Sequence, residues 1–166
     1  VAINGLASAV GIITGKTIGA GKTELMKEYA RTTQVIFLGL CLVIGALVFA
    51  CSGPFVAMYQ GISADAAAES LRFVRVLSVT LIGTCYQMPC LFGLVKSGGD
   101  ISFVFKNDTI FVFLVVLPSA IIASKLGAAP WVVFACLKCD QILKCLVAAI
   151  KVNRYNWMKN LTRAQA

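Results

Sequence analysis

This chain predicts an all-α fold threaded repeatedly through a lipid bilayer, and three observations carry the prediction. The chain is 59% hydrophobic and only 13% charged, with a mean hydropathy of +0.87, whereas soluble domains carry about 25% charged residues. Residues 35–50 and 76–95 contain no charged side chain, and a hydrocarbon core about 30 Å thick is crossed by about 20 apolar helical residues. Lysines and arginines gather in the connections on alternate crossings. Together these describe a polytopic transmembrane helix bundle. The net charge of +8 does not point to nucleic acid, because the basic residues cap hydrophobic runs and form no stripe interleaved with aromatics. Anionic lipid head groups are the expected partners.

The chain opens Val1-Ala2-Ile3-Asn4-Gly5-Leu6, apolar from its first residue and without the basic n-region of a signal peptide. This reads as the inside of a helix whose beginning is missing, so the chain is expected to be a C-terminal fragment of a longer protein. The truncated helix covers residues 1–18 and ends in Gly19-Ala20-Gly21, glycine supplying the backbone freedom that helix ends use. Residues 22–31 are polar, with Glu24 and Glu28 spaced against Lys27 and Arg31 as in a short solvated helix at the membrane surface.

A second helix is expected over residues 33–51, closed by Ser52-Gly53-Pro54, with residues 55–68 as a loop. The third covers 69–95, with Arg72 and Arg75 near its start and Pro89 in its last turns. Membrane helices tolerate proline where neighbours compensate the lost hydrogen bond, so a kink is expected at residues 86–89. Lys96-Ser97-Gly98-Gly99-Asp100 forms the next turn, and a fourth helix follows over 102–124 with Pro118 inside it. Residues 126–130 turn the chain again, Pro130 suiting a helix start. The fifth helix spans 131–151, and residues 152–166 form a basic tail.

Orientation follows from lysine and arginine in short loops. One side holds Lys16, Lys22, Lys27, Arg31, Lys96, Lys106, Lys151, Arg154, Lys159 and Arg163, and the other has Lys125 with Arg72 and Arg75 at a helix end. The first side is assigned to the cytoplasm, which makes the tail cytoplasmic in a multi-pass protein of the cell membrane. The same assignment places Tyr155 and Trp157 at one membrane interface and Tyr59 and Trp131 at the other, where amphipathic rings prefer to sit.

Two motifs suggest other chemistry and fail on spacing. Gly19-Ala20-Gly21-Lys22-Thr23 looks like the end of a phosphate-binding loop, but G-x-x-x-x-G-K-[ST] needs glycine at position 16, which is Lys16, and a strand before it, where the sequence reads as helix. Seven cysteines occur, and Cys136 and Cys139 have C-x-x-C spacing, but the chain has no histidine and no second pair to complete a zinc site. In membrane spans these thiols read as small apolar side chains. No metal site, cofactor or enzymatic centre is expected.

Gly15-Lys16-Thr17-Ile18-Gly19-Ala20-Gly21 resembles the end of the second helix of a lobe in the multidrug and toxic compound extrusion family, MATE. Gly93-Leu94-Val95-Lys96-Ser97-Gly98-Gly99-Asp100 is similar to its characteristic loop G-x-x-(R/K)-(S/G)-G-G-D, and Phe103 to Asp108, Leu117-Pro118 and Tyr155 to Arg163 resemble the last two helices and terminus of bacterial members. The resemblance implies the C-terminal half of a two-lobe transporter whose N-terminal lobe lies outside this chain. It further implies a secondary antiporter that exports small organic, mainly cationic, compounds in exchange for Na+ or H+ by alternating access. A flippase for lipid-linked oligosaccharides, from the same superfamily, is the alternative, and a P-loop nucleotide-binding enzyme is a weaker one.

Such exchange calls for carboxylates in a low dielectric, where desolvation makes protonation, cation binding and substrate binding compete. Asp108 is about six residues into its helix, roughly 9 Å, and Asp140 about eleven residues before its helix leaves the membrane, roughly 16 Å, at about 1.5 Å per residue. Lys144 lies four residues after Asp140 on the same face, and Lys138 is close by. Asp108, Asp140 and Lys144 are therefore either an ion-coupling site or a polar cluster that fixes how the last two helices pack. Tyr86, Gln87, Met88 and Pro89, at the expected kink, are candidates to line a cavity, although plain packing explains Tyr86 and Met88 equally well. Glu69, Arg72 and Arg75 have the spacing of a solvated helix end. Some MATE branches carry a cation-binding acid in the helix corresponding to 69–95, but residues 76–95 contain none.

Overall fold

The structure, a computed structural model, describes residues 2–59, 61 and 63–159. Five helices follow one another: α1 (Ala2–Gly19), α2 (Thr23–Ala57), α3 (Ala64–Lys96), α4 (Ile101–Lys125) and α5 (Pro130–Asn153). Of these, α2, α3 and α4 are long and apolar enough to cross a membrane. α5 has the length but carries Lys138, Asp140 and Lys144 along its middle. Val35, Leu47, Phe113, Leu114 and Leu146 stand exposed on the outside of the bundle, an apolar surface suited to lipid.

α3 is the central helix, packed against α2 and α5, while its last turns also meet α1. Small residues allow these approaches: a side chain at Gly45 would run into Ile82, and one at Gly83 would meet the backbone of Gln141. Close backbone contact of this kind holds membrane helices together where the hydrophobic effect between them is weak.

Three boundaries differ from expectation, each for a local reason. Residues 23–31 are the first turns of α2 and not a separate helix, since nothing there breaks it: Lys27 pairs with Glu24 at 2.7 Å, and Glu24 sits in the first turn, where the helix dipole favours an acid. α2 also runs through Pro54 to Ala57. So near the end proline removes a single bond, and the Ser52 hydroxyl donates to the Phe49 carbonyl at 2.7 Å. α3 starts at Ala64, because Ser63 caps it, its hydroxyl accepting from the Ala66 N–H at 3.3 Å, ahead of a run of helix-forming alanines.

Pro89 and Pro118 act by changing hydrogen-bond spacing. α3 is an α-helix to Met88 and continues over Pro89–Lys96 with wider i→i+5 turns; α4 does the same over Phe111–Val116, just before Pro118. A proline leaves a carbonyl without its usual N–H, and π turns re-pair the backbone around such gaps. Gly21 and Gly99 end α1 and α3 at φ of 74° and 103°, and the next N–H reaches back five residues in each case, Lys22 to Thr17 O at 3.1 Å and Asp100 to Val95 O at 3.1 Å.

The tail corrects one expectation outright. Trp157 does not present its ring to lipid as an interfacial anchor would; it is fully buried within the protein. Tyr155 adopts φ 56° and reverses the chain, so that the indole packs on Gly98, whose Cα leaves no room for a side chain, and Nε1 donates to Val152 O at 3.0 Å. The Lys159 N–H then donates to Gly98 O at 2.8 Å. Asp100 receives Lys151 at 2.7 Å and Lys159 at 2.9 Å, and Arg31 Nε donates to the Tyr155 hydroxyl at 3.1 Å. The tail through Lys159 is thus stapled across the Lys96-Ser97-Gly98-Gly99-Asp100 turn, closing an apolar core of Met26, Leu91, Leu94, Val95 and Val152. Arg163 and the rest of the expected tail from residue 160 lie outside the described residues.

Candidate functional site

α4 and α5 run antiparallel through a short connection, which sets Asp108 on one helix beside Lys144 on the other. The Lys144 ammonium lies 2.8 Å from Asp108 Oδ1 and 3.0 Å from Asp140 Oδ2. Lys144 and Asp140 have side chains 6% and 8% exposed, Asp108 35%. The i,i+4 spacing along α5 makes the Asp140–Lys144 contact local, and the antiparallel pairing supplies Asp108. Phe111, one turn from Asp108 on α4, places its ring centroid 5.8 Å from the same ammonium. Two carboxyl groups thus share one amino group, and Asp108 is the more exposed of the two acids.

The cluster extends toward α3 through residues that charge and spacing did not single out. The Gln141 amide donates to both Asp140 oxygens at 3.0 Å. Its own carbonyl oxygen accepts from Thr84 Oγ1 at 3.0 Å and from Gln87 Nε2 at 2.9 Å. Cys145 reaches the Gly83 carbonyl at 3.3 Å, where a side chain on Gly83 would meet the backbone of Gln141. Three helices are therefore joined by one polar chain, Thr84 and Gln87 on α3, Asp140, Gln141 and Lys144 on α5, and Asp108 on α4. Gln87 Oε1 and Asn107 Nδ2 are buried without a hydrogen-bond partner among the described residues.

The four candidates at the proline turn of α3 point in different directions. Gln87 joins the polar chain, Tyr86 donates to Gln34 Oε1 on α2 at 3.0 Å, Pro89 is buried, and Met88 faces a groove beside α1. Lys138 has no ion pair among the described residues. Glu69 and Arg72 pair at 2.6 Å on the surface, and Arg75 sits 5.7 Å from the Phe49 ring. The loop Gly19 to Thr23 is preceded by α1 and not by the strand that a phosphate-binding loop requires. Cys136 and Cys139 are partly buried on α5, and Cys41, Cys85 and Cys90 are buried between helices.

Outside the membrane-spanning segments one carboxylate is clearly perturbed. Hydrogen bonding from Lys151 holds the Asp100 carboxyl below its usual range, with burial opposing and Lys159 adding to the effect.

Compared with known families, residues 1–122 match the family model MatE. No curated protein and no solved structure matches the chain.

Proposed function

Because this chain belongs to the MatE family of transporters, we propose that it forms part of a secondary antiporter that exports small organic, mainly cationic, compounds in exchange for Na+ or H+ by alternating access. Proteins of this family are transporters and not enzymes, and the helices described above are those of a multi-pass membrane protein. The observation that carries the finer reading is the Asp108–Lys144–Asp140 cluster, in which two carboxyl groups share one amino group. Ionisable groups inside membrane bundles mark ion or substrate pathways by default.

In this reading Asp108, the most exposed of the three, accepts the coupling ion. While it is ionised, Lys144 ties α4 to α5. A proton or Na+ on Asp108 neutralises that end of the tie, and the ammonium stays with Asp140 alone, which loosens the two helices. Ion occupancy then biases their arrangement, as alternating access needs. Gln141 keeps Asp140 in place during the exchange, and the proline turn at Tyr86, Gln87, Met88 and Pro89 supplies the irregular wall beside the substrate path. The basic end, with Lys151 and Lys159 gathered at Asp100, faces the cytoplasm.

The test is gradient-driven transport in proteoliposomes. Asp108→Asn is expected to lower uptake driven by an imposed Na+ or H+ gradient at least about tenfold, equivalent to about 1.4 kcal/mol, with normal membrane insertion. Unchanged coupled transport in both Asp108→Asn and Asp140→Asn would reduce the cluster to a packing role.

A further inference from the structure

α2 and α3 are antiparallel neighbours, and their register brings together two cysteines that the buried polar cluster does not use. Gly45 of α2 lies against Ile82 and Ser78 of α3, where a Cβ on it would come 3.3 Å from Ser78 O. One turn from that contact toward the basic end, Cys41 stands on the Gly45 face of α2, and Cys85 stands three residues past Ile82 on the facing side of α3. The two thiols lie side by side there. Cys41 is 0% exposed and Cys85 1%, so both are sealed between the helices.

The other thiols are placed differently. Cys145 reaches the Gly83 carbonyl at 3.3 Å, Cys90 sits in the apolar core with Leu91 and Leu94, Cys136 and Cys139 share one helix, and Cys51 is exposed. Among the described residues no group of three or more histidine, cysteine or acidic residues can hold a metal ion, which excludes the four-ligand geometry of zinc. Two facing thiols suit a different ion. Soft metals prefer sulfur, and divalent mercury takes two thiolates in line and needs no third ligand. With two thiolates it forms a neutral complex, whereas a monovalent ion such as Cu(I) would leave a negative charge inside the bundle.

We propose that Cys41 and Cys85 form a two-coordinate site for mercury(II), the metal clipping α2 to α3. The ion enters as its neutral dichloride, which dissolves in lipid, so burial of the thiols does not shut it out. Two Hg–Cl bonds break and two Hg–S bonds form, the thiol protons leave with the chlorides, and nothing is oxidised or reduced. This site goes beyond the transporter reading and does not depend on it.

The test is a helix-joining assay on the whole protein in phosphatidylcholine nanodiscs, with all seven cysteines present and a protease site added in the connection between Ala57 and Ala64. Mercury dichloride is added in equimolar amount, free thiols are blocked with N-ethylmaleimide, the chain is cut, and the fragments are run on a denaturing gel without thiol. The two fragments should migrate together and come apart when a dithiol chelator is added. Methylmercury chloride, which makes a single Hg–S bond, should leave them apart. Cys41→Ala and Cys85→Ala should each lower the joined fraction at least about tenfold, equivalent to about 1.4 kcal/mol, while Cys51→Ala and Cys145→Ala should leave it unchanged. A variant that keeps Cys41 and Cys85 and replaces the other five cysteines by alanine should join as the parent does, which tests the pair without removing either member. Separate fragments in the parent, or joining that survives Cys41→Ala or Cys85→Ala, overturn the proposal. Joining by methylmercury also overturns it, since the bridge is then not a metal held by two thiolates.

Discussion

Lys144→Met lowers the stability of the bundle by about 3–5 kcal/mol, the cost of leaving buried charge without its partner. The substitution keeps the length and apolar stem of the side chain but removes the ammonium that lies within 3.0 Å of both acids. Asp140, 8% exposed, then keeps only the amide of Gln141 and faces Asp108 with like charge. The thermal unfolding midpoint in detergent reads the loss. The control is Asp140→Asn combined with Lys144→Met, because removing both members of a buried pair is often close to neutral. The double variant should regain most of what the single one loses, a coupling that independent sites do not show. A single-variant loss within about 0.5 kcal/mol, the range of ordinary surface changes, would mean that the ammonium is not buried between the carboxylates. Transport coupled to an ion gradient should fall in both variants, which separates the functional consequence from the structural one.

Trp157→Ala costs about 3–5 kcal/mol, as truncating a buried tryptophan does, and the loss falls on the tail and the turn it covers. The indole is fully buried over Gly98, and Tyr155 holds a left-handed conformation, φ 56°, which costs about 1–2 kcal/mol for a residue with a Cβ. Without the indole that cost is no longer offset. Amide exchange at Lys159, whose N–H is bonded to Gly98 O at 2.8 Å, should become fast, and trypsin should cut after Arg154 in folded protein. Slow exchange and an uncut tail in the variant would show that the ion pairs hold the tail without the indole.

Asp100→Asn should loosen the same tail more mildly, and pH supplies the sign. The carboxyl is held below its usual range, chiefly by Lys151. Its contribution is therefore complete above the ordinary carboxylate value of about 4 and is lost as pH falls through the lower folded value. Protection of the tail amides, taken relative to their intrinsic exchange rate at each pH, should stay level in the parent protein from neutral pH down to about pH 4 and fall only below it, while the asparagine variant is weakly protected throughout. A loss of protection that begins near neutral pH would rule out the Asp100 pairs as the controlling group.

The membrane architecture was legible in the residues because lipid imposes a one-dimensional rule: long uncharged runs must be helices, and their flanking bases mark the ends. The Asp140–Lys144 contact was legible for a related reason, since i,i+4 neighbours meet within one helix, and Asp108 followed from a short antiparallel connection. Gln141 and Thr84 were not, although both belong to the same polar chain. An uncharged polar residue in an apolar run has no periodic signature, and the partners that give these two meaning, Asp140 apart, stand on another helix.

The prolines and the tail show the same division. That Pro54, Pro89 and Pro118 disturb their helices follows from a missing N–H, which is a property of the residue. Whether the chain stops, kinks or shifts to wider turns depends on which neighbours re-pair the freed carbonyls. Trp157 has the composition of an interfacial anchor, and only the glycine surface at Gly98, 59 residues earlier in the chain, turns it into a core residue. Local chemistry along the chain thus settled which segments are helical and which carry charge. Contacts between residues far apart in the chain chose the partners of each polar group and each aromatic ring, because desolvation inside the bundle is tolerated only where geometry supplies a matching neighbour.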